Sequence, residues 1–202
     1  MARLRNHSPA SERNRGPILA ELQRLLPAQG VLLEVASGTG QHAAWCSAGL
    51  PGWQWCPTDF DAASLPSISA WCLGLERVHA PVLLDVTQAR WTEVPAEVDA
   101  VFCANMIHIA PWPCCAGLMQ GAARHLSARG MLITYGPYLE DGVTTSPGNM
   151  AFDADLRMRN PAWGLRRRED VEQLAEQAGL RLHERVEMPA NNLLLVWVRA
   201  RM

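Results

Sequence analysis

Apolar residues return at helical and strand spacings along nearly the whole chain. After a polar opening to residue 15, Ile18, Leu22, Leu25 and Leu26 recur at helical intervals. Pro17 suits the first turn of that helix, and Pro27 and Gly30 end it. Residues 31–36 are a short apolar run, read as a buried strand, followed by a tight glycine loop at 37–40 and a helix over 42–50. The alternation continues with a strand at 53–58, a helix at 66–76, a strand at 78–84 and a strand at 98–104. A helix then places Cys115, Leu118, Met119, Ala122 and Leu126 on one face, and a fifth strand covers 131–135. Residues 136–165 form a long segment punctuated by Gly and Pro, with a helical piece near 151–159. Segments this long inside compact domains serve as lids or binding loops. A helix over 169–178 turns Val171, Leu174, Ala175 and Ala178 inward. Two last strands, 180–187 and 192–199, are joined by too few residues for a helical crossover, so they pair antiparallel. Strand–helix alternation followed by a hairpin predicts an α/β, doubly wound, mostly parallel sheet.

Composition narrows the chemistry. A chain of 202 residues with 49% hydrophobic and 19% charged side chains reads as one domain (1–202) with a sizeable core. The net charge of −2 argues against a nucleic-acid surface without excluding a local basic patch. All 18 basic side chains are arginine, which removes Schiff-base lysine catalysis and a P-loop lysine. Cysteines 46, 56, 72, 103, 114 and 115 show neither C-x-x-C nor zinc-ligand spacing, so no metal is expected. They read as reduced core residues, including the vicinal Cys114-Cys115, which suits a cytoplasmic protein. The opening residues carry arginines but no signal-like apolar run, and the apolar stretch 193–198 is too short to span a bilayer.

In open α/β sheets, ligands bind beyond the carboxyl ends of the strands. Those ends carry Glu34 and the loop Ser37-Gly-Thr-Gly40, then Asp59, Asp85, Asn105 and His108. Gly38-x-Gly40-x-x-Ala43, with Asp59 nineteen residues after Gly40, fits a dinucleotide fingerprint and so an NAD(P)-dependent oxidoreductase. Three features oppose that reading: a carboxylate, Glu34, inside the first strand; a third carboxylate, Asp85; and the closing hairpin. S-adenosylmethionine, which has no phosphate, fits better. Its ammonium and adenine amine want acceptors, its ribose wants a carboxylate, and its methionine part wants close backbone approach. An enzyme and a non-catalytic binder of that molecule both remain open, because fold alone does not separate them.

The acid followed by Gly-x-Gly, with Asp59 and Asp85 at the next two strand ends, resembles the class I S-adenosylmethionine-dependent methyltransferases. That resemblance implies a seven-stranded sheet of order 3-2-1-4-5-7-6 and a Rossmann-like methyltransferase fold. It implies that Glu34, Ala36, Ser37, Gly38, Gly40, Asp59, Asp85, Val86 and Asn105 hold S-adenosyl-L-methionine, which leaves as S-adenosyl-L-homocysteine. Further stretches resemble one small family, methyltransferase-like 26, long a domain of unknown function. They include Glu12-Arg-Asn-Arg-Gly-Pro-Ile-Leu, Phe102-Cys-Ala-Asn-Met-Ile-His-Ile-Ala-Pro-Trp112, Tyr135-Gly-Pro-Tyr138, Phe152-Asp-Ala-Asp-Leu-Arg157 and Met188-Pro-Ala-Asn-Asn-Leu193.

The expected reaction is in-line methyl transfer to a small-molecule acceptor. It depends mostly on positioning and water exclusion. His108 is the candidate base, with a loop-supporting histidine as the plain alternative. Tyr135 and Tyr138 end the fifth strand, and Tyr138 is the favoured catalytic tyrosine. Trp112 is expected in the pocket wall. Asn149, Asp153 and Arg157 are expected on the substrate side, although Asp153 and Arg157 also fit a helical i,i+4 pair. Asn191 either binds substrate or shapes a turn, and Arg166-Arg-Arg168 reads as a solvated helix start. Asn14 and Arg15 are expected in a lid formed by residues 1–16.

Overall fold

The structure, a computed structural model, describes residues 5–200. One seven-stranded sheet runs through it, built from β1 (Gly30–Val35), β2 (Trp53–Asp59), β3 (Val82–Leu83), β4 (Val98–Ala104), β5 (Leu126–Gly136), β6 (Leu180–Met188) and β7 (Asn192–Arg199). The order is β3-β2-β1-β4-β5-β7-β6, as expected from the sequence. The pairs β1–β2, β1–β4, β2–β3 and β4–β5 are parallel, whereas β7 runs antiparallel to both β5 and β6.

Alternate residues of the central strands feed two cores, as the strand period requires. On one face Leu33, Val35, Val101, Cys103, Leu132 and Trp197 pack against α4 (Trp112–His125) and α6 (Arg168–Gln177). On the other, Leu32, Phe102, Ile133, Leu194 and Val196 meet α1 (Pro9–Leu25) and α2 (Gln41–Gly49), through Ile18, Leu22, Ala43 and Cys46. The short α3 (Leu65–Trp71) follows β2, and α5 (Pro147–Arg159) lies in the segment after β5. All six cysteines are free. No helix among the described residues is long and apolar enough to cross a membrane.

Three expectations need correction. The first helix starts at Pro9, two turns before Pro17, which lies inside it. Ser8 caps it by accepting from Ser11 N–H at 3.2 Å, and Pro9 occupies the first turn, where no N–H partner is needed. The first turns carry no apolar stripe because they face the polar start of α2. Residues 1–4 of the expected lid lie outside the described residues. The third strand shrinks from 78–84 to Val82–Leu83, with one isolated bridge at Trp55↔Val78, because Pro81 interrupts the run and cannot donate to a ladder. The helical piece at 151–159 extends back to Pro147, capped by Ser146, which accepts from Asn149 N–H.

Candidate functional site

The site is assembled at the carboxyl end of the sheet. The loop after β1 needs left-handed backbone at three positions: Ala36 (φ 58°), Gly38 (φ 59°) and Gly40 (φ 90°). At Gly40 a Cβ would lie 2.6 Å from the Ile68 Cα, so only glycine fits. At Gly38 a Cβ would meet nothing within 4 Å, which leaves an open cradle over the loop. The loop is stitched to β2 by Ser37 N–H donating to the Thr58 carbonyl (2.8 Å) and Thr58 N–H donating to Ser37 Oγ (3.2 Å). Gly40 N–H donates to the Ser37 carbonyl at 3.0 Å.

Three carboxylates sit near this loop in different environments. Glu34 is fully buried beneath it, accepting from Trp55 Nε1 at 2.8 Å; burial is the main reason its carboxyl is pushed up to about 7. It supports the loop from below and does not face the cleft. Asp59 ends β2. One of its oxygens accepts Gly38 N–H (2.8 Å) and the other accepts Asp61 N–H (2.9 Å). Burial raises its carboxyl above the usual range. Asp85 lies beyond β3, where Thr87 Oγ1 (2.7 Å), Thr87 N–H (2.9 Å) and Gln88 (3.2 Å) donate to it and hold its carboxyl low. Val86 is buried, and its carbonyl accepts from Trp91 Nε1 at 3.4 Å. Phe60, next to Asp59, is 71% exposed.

Asn105 follows β4 in left-handed conformation (φ 62°), its N–H donating to the Tyr135 carbonyl at 2.7 Å. His108 ends the short turn Met106–His108 and is completely buried, yet neither ring nitrogen has a hydrogen-bond partner among the described residues. Burial, helped by the Arg166 charge, holds its imidazolium down to about 3, so the ring is neutral. Its edge packs on Tyr138 with centroids 5.0 Å apart, and a Cβ on Gly136 would come within 2.4 Å of Nε2.

The remaining expected residues divide. Tyr138 turns its hydroxyl into the sheet, donating to Thr134 Oγ1 (2.8 Å), which also accepts from Trp197 Nε1 (3.0 Å). The catalytic role expected of Tyr138 does not fit this geometry; its ring supports His108. Tyr135 is the tyrosine beside α1. Burial raises its phenol, while Asn14 hydrogen-bonds it and the Arg13 charge opposes the rise. Asn14 Oδ1 also meets His42 Nε2 at 2.7 Å, and burial keeps His42 neutral, down to about 4. Arg15 lies elsewhere, stacked 4.0 Å from the Trp45 ring and paired with Glu12, so it does not join the cleft. Asn149 and Asn191 satisfy each other: Asn149 Nδ2 donates to the Asn191 carbonyl (2.8 Å) and Oδ1 (3.2 Å). Asp153 pairs with Arg157 at 2.8 Å, and its other oxygen accepts Leu165 N–H at 2.7 Å. Trp112 opens α4 with the Arg166 guanidinium 5.4 Å from its ring. Of the run 166–168, Arg167 is exposed at the helix start as expected, whereas Arg166 donates to three backbone carbonyls and Arg168 pairs with Glu140, Glu169 and Glu172. Phe60, Gly136, His42 and Arg166 carry no local sequence signal that marks them as part of the site.

A profile described as a protein of unknown function (DUF938) matches residues 5–199. The chain belongs to the DUF938 family. Solved structures share the fold of this DUF938 protein. The mitomycin 7-O-methyltransferase MmcR matches with a TM-score of 0.81 at 14% identity, over 95% of this chain and 54% of that one. CalO1, a methyltransferase in calicheamicin biosynthesis with S-adenosylhomocysteine bound, gives 0.71 at 21% identity, over 91% and 54%. The pyocyanin biosynthetic protein PhzM gives 0.76 at 22% identity, over 90% and 54%. The DUF938 chain thus has the Rossmann-like methyltransferase fold and spans about half the length of these structures.

Proposed function

We propose that this protein is an S-adenosylmethionine-dependent methyltransferase with a small-molecule acceptor, as its resemblance to the methyltransferase-like 26 family implies. The observation that carries the reading is the strand-end arrangement: an open glycine cradle at Gly38, with Asp59 locked beside it by the Gly38 N–H. The residues fit the cofactor. Residues 36–40 suit its methionine part, Asp59 retains lone pairs for ribose hydroxyls, and Asp85 offers an acceptor to the adenine amine. The exposed Phe60 ring adds an apolar face next to Asp59. The fit to a dinucleotide is poorer, because Gly38 and Gly40 spend their N–H groups on Asp59 and the Ser37 carbonyl and leave fewer donors for a pyrophosphate.

When bound, the cofactor supplies a methyl group on a positively charged sulfur. The protein's own part is positioning, dryness and proton transfer. His108 is neutral and completely buried, so it can take the proton of an acceptor hydroxyl only where a bound acceptor reaches its ring past Gly136 and restores its basicity. Asn14 and Tyr135 bound the α1 side of the cleft, so α1 serves as a wall of the acceptor site. Six free cysteines suit a reducing compartment such as the cytoplasm.

Incubation with methyl-labelled S-adenosylmethionine and a whole-cell extract, then separation by size, tests the reading. We expect label in the small-molecule fraction, lost in Asp59→Ala and reduced about 100-fold or more in His108→Ala. Label confined to macromolecules, or none above the Asp59→Ala control, overturns it.

A further inference from the structure

Neither ring nitrogen of the buried His108 has a partner at ordinary hydrogen-bond distance, although the Gly164 backbone lies near enough to favour the protonated ring. Three carbonyls of its turn, those of Ile107, His108 and Ala110, are gripped by one segment of chain more than 50 residues later. Arg166 Nε donates to the Ile107 carbonyl at 3.0 Å, and Arg166 Nη2 donates to the Ala110 carbonyl at 2.9 Å. Between them, Gly164 N–H donates to the His108 carbonyl at 2.9 Å. The gripping segment is itself anchored on both sides. Leu165 N–H is held by Asp153 of α5 (2.7 Å), and the Arg166 carbonyl accepts Leu139 N–H (3.0 Å), one residue after the Tyr138 ring that flanks His108. Gly164 has φ 143°, backbone that residues with a side chain rarely adopt, and a Cβ there would push on the ends of the Arg157 and Asp153 side chains 2.8 Å away.

We propose that Arg166 is a positioning residue for His108: with Gly164 it clasps the backbone of the 107–110 turn and so fixes the buried imidazole against Gly136 and Tyr138. The functional importance of this clasp rests on His108 being the proton acceptor, but its existence does not. The guanidinium fork matters because it reaches two carbonyls at once while stacking on Trp112, which a lysine point charge cannot do. Two charged groups face the ring. Arg166 disfavours its protonation and Asp153 opposes that effect weakly. Burial is the main reason the ring is neutral; Arg166 adds to it and the Gly164 backbone works against it, so the part of the clasp is to orient the ring.

Nitrogen NMR of histidine-labelled protein reads the ring directly. The chain has six histidines, and the resonances lost in His108→Gln assign His108. In the wild type we expect a single neutral tautomer with no titration between about pH 5 and 8. In Arg166→Lys, which keeps the charge but not the fork, we expect averaged tautomers, with the ring still neutral across that range because burial and the charge remain. Arg167→Lys is the control, because Arg167 pairs with Asp141 at the surface and should leave His108 unchanged. An unchanged His108 in Arg166→Lys, or an equal response to Arg167→Lys, overturns the proposal. If Arg166→Lys does not fold, the wild type still decides the matter. The clasp requires a slowly exchanging Arg166 Nε–H and a protected Gly164 amide; exchange as fast as that of exposed arginines contradicts it. None of these readings needs a bound cofactor. A chain that fails to bind S-adenosylhomocysteine but shows the clasp refutes the proposed function and not the clasp.

Discussion

Replacing Glu34 with glutamine should make the protein more stable as pH rises. Glu34 is 1% exposed under the glycine loop, and burial lifts its carboxyl from 4.5 to about 7. Between those values the folded protein holds a proton that the unfolded chain has released. Wild-type stability therefore falls as pH climbs through this interval and levels off above it. The gap of ~2.5 pH units, at ~1.36 kcal/mol each, sets an upper limit of about 3 kcal/mol. Glutamine keeps an oxygen for Trp55 Nε1 and cannot ionise, so the variant escapes the loss. His42 (down to about 4) and His108 (down to about 3) act in the opposite sense, since their buried neutral rings cost stability as pH falls below about 6.5. The difference between variant and wild type cancels those terms. Urea unfolding at a series of pH values should show Glu34→Gln gaining on the wild type between about pH 4.5 and 7, then running parallel to it. A constant difference, or one that shrinks with pH, refutes the account of Glu34 as a buried, protonatable prop.

The glycines make sharper demands. Gly40→Ala forces a left-handed residue against the Ile68 backbone and should cost roughly 2–4 kcal/mol in denaturant unfolding, whereas Gly38→Ala pays only the strain of its positive φ, about 1–2 kcal/mol. Gly136→Ala places a methyl 2.4 Å from His108 Nε2 and must displace the ring; methyl transfer should fall at least about 100-fold while the fold survives in circular dichroism. The chain has only two tyrosines, so ultraviolet titration of Tyr138→Phe reports Tyr135 alone. That phenol should titrate above its ordinary 10, and higher still in Asn14→Ala, which removes the hydrogen bond now favouring ionisation; no change on removing Asn14 would contradict the α1 contact.

The sheet was legible because its signals are local. Strand-length apolar runs alternate with helical periods, and the four-residue link at 188–191 admits only a hairpin. The strand-end carboxylates were legible for the same reason. What depended on tertiary partners was not. The first turns of α1 meet α2 through polar side chains, Glu12 with Gln41 and Asn14 with His42, so they lack a stripe, although Ser8 followed by Pro9 is itself a start signal. Tyr135 and Tyr138 look equivalent in sequence. Strand alternation sends Tyr135 toward α1, while Tyr138, beyond the strand, folds its hydroxyl back onto Thr134. Asp153 and Arg157 do form the helical pair their spacing allows, and the pair also carries Leu165. Arg166 belongs to a charged run whose neighbours give no hint that its carbonyl partners lie 56 and 59 residues away.

The central claim is that the strand-end cleft holds S-adenosylmethionine through Asp59. Isothermal titration calorimetry of S-adenosylhomocysteine against wild type and Asp59→Ala, with NAD as the competing ligand, tests it most directly. The account predicts micromolar binding of S-adenosylhomocysteine to the wild type, at least about tenfold weaker in the variant, as the loss of hydrogen bonds to a charged group requires, and no NAD binding. Clear NAD binding without S-adenosylhomocysteine binding would contradict it and return the glycine loop to a dinucleotide role.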